Sequence, residues 1–163
     1  MKALVSYPDL CTGCRLCELA CAFRVGKTMH PARSRITVVK WEDTGFYLPF
    51  TCLQCEKPAC ASACPVEAIT RREDTGAMVV DAERCIGCGM CQVSCPFGAA
   101  CVDRGTRVAS KCDLCDGSPR CAEICPASAI RYQDEQEAAA HRRRSQVARA
   151  LSHPEIFPGG EAR

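Results

Sequence analysis

Residues 52–96 read CLQCEKPACASACPVEAITRREDTGAMVVDAERCIGCGMCQVSCP. Cys52, Cys55, Cys60 and Cys64 open this stretch with the spacing C-x2-C-x4-C-x3-C, and Pro65 follows. Cys85, Cys88, Cys91 and Cys95 close it with C-x2-C-x2-C-x3-C, followed by Pro96. Between the two groups, residues 68–71 and 78–81 are strand-like around Asp74-Thr75-Gly76, which predicts a short hairpin. Two cysteine quadruples joined by a hairpin make a unit of roughly fifty residues, a size that needs a staple besides an aliphatic core.

The same pattern extends outward in both directions. Cys11, Cys14, Cys17 and Cys21 repeat C-x2-C-x2-C-x3-C, and Cys112, Cys115, Cys121 and Cys125 run C-x2-C-x5-C-x3-C before Pro126. Sixteen of the 17 cysteines therefore fall into four quadruples, an internal repeat. Composition explains why they matter. The hydrophobic fraction of 47% contains 17 Cys and 22 Ala, and Leu, Ile, Val and Phe together number only 30 of 163 residues. That is too little aliphatic volume for a comfortable core, while a net charge of +2 does not suggest disorder. The candidates for holding the fold together are disulfides or metal.

Other classes are excluded by simple features. No apolar run approaches the roughly 18 residues that span a bilayer, so no membrane insertion is expected. Cys11 comes too early to leave room for an export signal. A cytoplasmic location is expected, where structural disulfides are rare. The small net charge gives no reason to expect a nucleic-acid partner. Metal remains. A zinc ribbon uses two C-x2-C pairs set well apart, so the third and fourth cysteines of each group would be superfluous. Three thiolates in a tight loop suit three corners of an iron–sulfur cubane, and in the bacterial two-cluster arrangement the fourth Cys ligates the neighbouring cluster. Gly13 and Gly87, just before the second Cys, are expected to let the backbone wrap closely there.

The phrases C-P-V-E-A-I (64–69) and V-D-x-E-x-C-I-G-C-G-x-C (80–91) resemble bacterial two-cluster ferredoxins. That resemblance implies one [4Fe-4S] cluster on Cys52, Cys55, Cys60 and Cys95, and another on Cys85, Cys88, Cys91 and Cys64. Groups one and four remain and are expected to pair across the inserted unit. One cluster would then sit on Cys11, Cys14, Cys17 and Cys125, and the other on Cys112, Cys115, Cys121 and Cys21. Supporting strands are expected at 3–6, 36–41 and 129–132, with a hairpin from 99–103 and 107–110 around Gly105. The expected fold is α+β, with two ferredoxin-like halves related by a pseudo-twofold. Residues 1–49 with 104–133 form the outer domain, 50–103 the inserted one, and 134–163 a C-terminal basic helix and tail.

The order of the four groups, with CLQCEKPACASACP (52–65) and KCDLCDGSPRCAEICP (111–126), resembles a wider family. It comprises the four-cluster ferredoxin-like electron-transfer subunits of dimethyl sulfoxide reductase, formate dehydrogenase, hydrogenase and aldehyde oxidoreductase complexes. The resemblance covers residues 2–133 and implies four [4Fe-4S] clusters. It further implies a large catalytic partner, often with a tungsten or molybdenum pterin, and a second redox subunit or ferredoxin. The short spacing between Cys115 and Cys121 points to the short cytoplasmic members that accompany tungsten aldehyde oxidoreductases, carbon monoxide dehydrogenases or hydrogenases. A free-standing polyferredoxin is the alternative, and a zinc-binding module the reading from another class.

No nucleophile–base pair, phosphate-cradling loop, or pterin or flavin fingerprint occurs, so no catalytic residue is expected and the chain is not an enzyme on its own. Group one lacks the terminal Pro, which predicts that its helix continues through Ala22-Phe23. Cys101 reads as a small buried strand residue and Trp41 as a core aromatic. Tyr7, Phe23 and Phe97 read as shields beside the ligand loops, and His30, His141 and His153 as bystanders. Asp134-Glu135-Gln136-Glu137 reads as an N-cap followed by acidic first-turn residues, then 138–151 as helix, with Pro154 and Pro158-Gly159-Gly160 ending it. Arg142, Arg143, Arg144 and Arg149 make that helix basic, a solvated face or a contact to a partner subunit.

Overall fold

The structure is a computed structural model that describes residues 2–152. Its strands are short and its helices, except two, span a single turn or little more. In chain order they are β1 (Lys2–Ser6), α1 (Leu16–Gly26), β2 (Ile36–Trp41), β3 (Phe46–Thr51), α2 (Ala59–Ser62), β4 (Ile69–Arg71) and β5 (Met78–Val80). Then come α3 (Met90–Ser94), β6 (Cys101–Val102), β7 (Ala109–Ser110), α4 (Arg120–Glu123), β8 (Ile130–Asp134) and α5 (Glu135–Ser152). Among the described residues the strands form four antiparallel pairs. Three are hairpins: β2–β3, β4–β5 and β6–β7. The fourth joins the first and last strands, in register from Lys2↔Asp134 to Ser6↔Ile130, and the Tyr7 N–H extends it by donating to Ala129 O at 2.7 Å. Everything between residues 7 and 129 thus leaves from, and returns to, one two-stranded ribbon.

Each helix of the four cysteine groups starts by one of two devices. In groups one and three, with two residues between second and third Cys, the residue after the second Cys is left-handed: Arg15 at φ 62° and Gly89 at φ 79°. In groups two and four, where that gap is longer, Pro58 and Pro119 occupy the N-cap instead. The helix of group one runs on past Cys21 to Gly26, as expected without a proline. It closes when the Lys27 N–H, at φ 53°, donates to Phe23 O.

The buried side chains are few, and thiols are prominent among them. Cys17, Cys21 and Cys121 pack with Ile36, Val38 and Ile130 in one cluster, and Cys60 and Cys91 with Ile69, Met78, Ala100 and Ala109 in another. Between these lies a smaller set of Ala77, Cys112 and Leu114, bordered by Leu4, Cys52 and Tyr132. Buried Glu18 ties α1 to β2: its carboxylate accepts the Val38 N–H at 2.6 Å and the Arg15 Nε–H at 2.9 Å. Asp116 accepts from both Arg24 and Arg72, linking α1 to the turn of the β4–β5 hairpin.

Several expectations need correction. Strand β3 is not among the strands expected from the sequence, and it carries Pro49, a residue that strands usually exclude. It is tolerated in this two-stranded sheet, where each strand has a free edge, and its carbonyl accepts the Ser6 hydroxyl at 2.6 Å. Trp41 is exposed and leans on Phe46, with ring centroids 5.4 Å apart. Cys101 lies on a strand as expected, but it is exposed. Helix α5 begins at Glu135, directly after Asp134 as the N-cap reading expects, and the Asp134 side chain accepts the Gln136 N–H. Its first two turns belong to the body, since buried Ala138 packs on Val5 and Tyr7 and the His141 ring meets Tyr7 edge-on at 4.4 Å. Arg143 and Arg144 are exposed. The side chains of Arg142 and Arg149, and all of His153, Pro154 and 158–160, lie outside the described residues.

Gly87 offers a direct test of the backbone. It sits at φ +66°, and a Cβ there would meet Arg107 O at 2.2 Å, whereas Gly45 at φ +64° has nothing within 4 Å. Gly45→Ala should cost about 1–2 kcal/mol for the left-handed conformation alone. Gly87→Ala should cost clearly more in the same denaturant titration, because the hairpin carbonyl must move.

Candidate metal-cluster sites

The cysteine loops gather around partly open hollows. One is lined by Cys11, Cys14, Cys17 and the distant Cys125. A second is lined by Cys52, Cys55, Cys60 and Cys95. A third is lined by Cys64, Cys85, Cys88 and Cys91. The fourth gathering is seen around Cys121, whose pKa is raised by burial first and then by the neighbouring Cys112, Cys21 and Cys115. In each case three thiols come from one group and one from another. Among the described residues no three His, Cys, Asp or Glu side chains converge closely enough to hold a single metal ion. Three thiols from one tight loop with a fourth from another suit the corners of an iron–sulfur cubane.

Two backbone devices produce this geometry. The residue before the second Cys is left-handed in all four groups: Gly13, Gln54, Gly87 and Leu114, with φ of 69°, 52°, 66° and 56°. Only two of these are glycine, so the conformation is imposed by the loop rather than chosen by the residue. At Gly13 the close neighbour is the Tyr47 ring, 2.9 Å from where a Cβ would be. Three groups then share the continuation C-P-x-x-A, with Glu67, Gly98 and Ser128 left-handed at φ 50°, 64° and 49°. That turn brings the following alanine N–H back onto the fourth Cys. Ala68, Ala99 and Ala129 donate to the Sγ of Cys64, Cys95 and Cys125 at 3.3, 3.4 and 3.2 Å. Group one has no such turn because α1 continues, and Arg35 N–H donates to Cys21 Sγ at 3.2 Å instead. Amides aimed at sulfur are among the protein's levers on cluster potential.

Burial acts on most of the thiols in the opposite sense. It pushes the Cys17 pKa up to about 12, and that of Cys112 to about 11 against the opposing Leu114 N–H and Thr51 hydroxyl. Cys60, Cys91 and Cys115 are raised for the same first reason. Cys95 departs from this trend. Burial alone would raise it, but the N–H groups of Ala99, Phe97, Ala100 and Gly98 outweigh burial and hold it below the usual thiol value.

The four gatherings stand in series. Cys121 packs in one cluster with Cys17 of the first cavity. Cys112 packs beside Cys52 of the second, and Cys91 of the third shares a cluster with Cys60 of the second. Gln54 ties the middle of this series, donating from Nε2 to Cys112 O at 2.9 Å and accepting the Met78 N–H at 2.8 Å. Arg35 braces it by donating to Asp113 at 2.6 Å. Cys14 and Cys88, in the two end cavities, are exposed.

Of the aromatic shields expected, Phe97 lines the second cavity. Tyr7 is instead buried against α5 and Arg131, and Phe23 opens onto a surface cleft beside Met29 and Ile124. Sequence reasoning passes over Gln54, Arg35 and Lys111. Lys111 stands next to Cys112 in sequence yet lines the cavity of Cys52, Cys55, Cys60 and Cys95.

Because cluster ligands must be thiolates and burial holds these thiols protonated, loading must expel protons. Anaerobic loading with iron and sulfide should therefore be weaker at about pH 6 than at about pH 8.5, with proton release measurable in weakly buffered solution.

Comparison with known proteins gives the same chemistry. A family model described as 4Fe-4S dicluster domain matches residues 43–135, and one described as 4Fe-4S binding domain matches residues 8–24. The polyferredoxin-like subunit of aliphatic sulfonate oxidoreductase from Pyrococcus furiosus is 43% identical over 118 residues, covering 72% of this chain and 68% of that protein. The putative electron transport protein YsaA of Escherichia coli is 40% identical over 157 residues, covering 89% and 98%. A component polypeptide of the anaerobic dimethyl sulfoxide reductase of the same organism is 39% identical over 140 residues, covering 75% and 68%. Among the described residues no helix is long and apolar enough to cross a membrane. The matched domains, with the repeated thiol loops that carry them, place this chain in the 4Fe-4S dicluster ferredoxin family.

Proposed function

We propose that the chain is a non-catalytic, cytoplasmic electron-transfer subunit of an oxidoreductase complex, carrying four [4Fe-4S] clusters in a row. The first would be held by Cys11, Cys14, Cys17 and Cys125, and the second by Cys112, Cys115, Cys121 and Cys21. The third would be held by Cys52, Cys55, Cys60 and Cys95, and the fourth by Cys85, Cys88, Cys91 and Cys64. The observation that carries this reading is the serial packing of Cys17 with Cys121, Cys112 with Cys52 and Cys60 with Cys91, ending in exposed Cys14 and Cys88. Such a row is a relay with two mouths. The separate packing of groups one with four and two with three supports two ferredoxin-like halves, with 50–103 inserted into 1–49 and 104–133 and related to them by a pseudo-twofold.

The clusters would supply reversible one-electron chemistry. The chain's own contribution is position, dryness and electrostatics. The left-handed loop residues set where the thiolates point, and the amides of Ala68, Ala99, Ala129, Ala109 and Arg35 lend positive potential to sulfur. Buried aliphatic and methyl groups such as Ile36, Ile69, Ala100 and Ile130 limit water. At the two mouths Leu16, Ile86 and Met90 are exposed apolar neighbours of the ligand cysteines, suited to close contact with redox partners. The family resemblance and the sulfonate and sulfoxide enzymes named among the relatives favour a large tungsten- or molybdenum-pterin subunit at one mouth. A second redox subunit or ferredoxin would serve the other.

Anaerobically purified protein should be brown, bleach on reduction with dithionite, and contain about sixteen irons and as many sulfides per chain. It should also co-elute with a large redox subunit. A colourless, iron-free chain that is nonetheless compact would refute the cluster reading, and loaded protein that never co-elutes would favour a free polyferredoxin. The crosswise assignment has its own check. Cys95→Ser should perturb the spectroscopic signature of the site otherwise held by Cys52, Cys55 and Cys60, and Cys21→Ser that of Cys112, Cys115 and Cys121. A perturbation confined to each cysteine's own group would overturn the pairing.

A further inference from the structure

Lys111 is 4% exposed, and its Nζ has no hydrogen-bond partner among the described residues. Burying an ammonium is costly unless an anion meets it, and among the described residues no carboxylate pairs with it. What it meets is a cavity lined by Cys52, Cys55, Cys60 and Cys95. Cys60 carries the mark of this neighbour: burial raises its thiol, and the largest opposing influence is Lys111.

The other sites differ. Arg15, at the first cavity, is paired with Glu18 at 2.9 Å. Arg24, beside Cys115, is paired with Asp116 at 2.8 Å. Arg35, whose amide faces Cys21, is paired with Asp113 at 2.6 Å. The cavity of Cys64, Cys85, Cys88 and Cys91 has no Lys or Arg in its lining. Lys111 is thus a buried cation without a carboxylate, and the amides around Cys95 add to the positive potential of the same cavity.

We propose that Lys111 is the built-in counter-charge of the cluster at Cys52, Cys55, Cys60 and Cys95, and so sets its potential as a positioning residue. The inference rests on the ligand assignment proposed above. With four thiolates an oxidised cluster carries about −2 and its one-electron-reduced form about −3. A fixed positive charge therefore favours the reduced form of that cluster.

The test is an EPR-monitored redox titration of the full-length, cluster-loaded protein with redox mediators, alongside iron and sulfide analysis. Lys111→Met and Lys111→Gln should retain full iron content. They should shift one midpoint to more negative potential by at least a tenfold change in its equilibrium, about 59 mV for one electron. The shifted signal should be the one that Cys95→Ser perturbs, and Lys111→Arg should keep it near the wild-type position. Unchanged midpoints in both neutral variants overturn the proposal. If the neutral variants instead lose one cluster's iron, retention by Lys111→Arg supports the counter-charge and loss in all three variants overturns it. Wild-type protein that carries no iron, or a lysine-dependent signal indifferent to Cys95→Ser, would count against the underlying assignment instead.

Discussion

Buried sulfur needs hydrogen-bond donors, and the recurring donors here are the chain's own amides. This requirement shapes the backbone more than any hydrophobic pattern does. To turn an N–H back onto a cysteine four residues earlier, the chain passes through a left-handed residue at Glu67, Gly98 and Ser128. To fit two thiols into one tight loop it does so again at Gly13, Gln54, Gly87 and Leu114. Each such non-glycine residue costs about 1–2 kcal/mol. A small protein with a thin core can bear that cost only if something bound repays it, and metal ligation to thiolates is strong enough.

Much of this is readable in the sequence because it is local. The quadruple spacings, the prolines after Cys64, Cys95 and Cys125, and the β4–β5 turn are all short-range signals. The continuation of α1 past Cys21 follows from the single missing proline. What the sequence hides depends on partners far away in the chain. Strand β3 exists because β2 pairs with it and Ser6 reaches Pro49, a contact across 43 residues. Tyr7 reads as a neighbour of Cys11, but its ring is claimed by His141 and Arg131 from the other end of the chain. Cys101 is expected to be buried because free cysteine usually is, yet its short strand turns it outward. Lys111 reads as one surface lysine among many, and only the fold reveals what it faces.

Group one shows how such a design tolerates variation. Losing its proline lengthens the helix and removes the turn that supplies an amide to the fourth Cys in the other groups. The need did not vanish, and Arg35, from the approach to β2, donates in its place. The same residue then bonds Ser110 and Asp113, so the substitution binds group one to group four more firmly than the shared turn would have done.

The pairing of β1 with β8 has a further consequence. Because Lys2 lies opposite Asp134, two segments far apart in the chain are neighbours in space while residues 7–129 hang between them. During synthesis a ribosome releases β1 long before its mate exists, so this strand must wait for those intervening residues to emerge. Maturation is then naturally ordered: the middle can organise early, and the outer loops are sealed last.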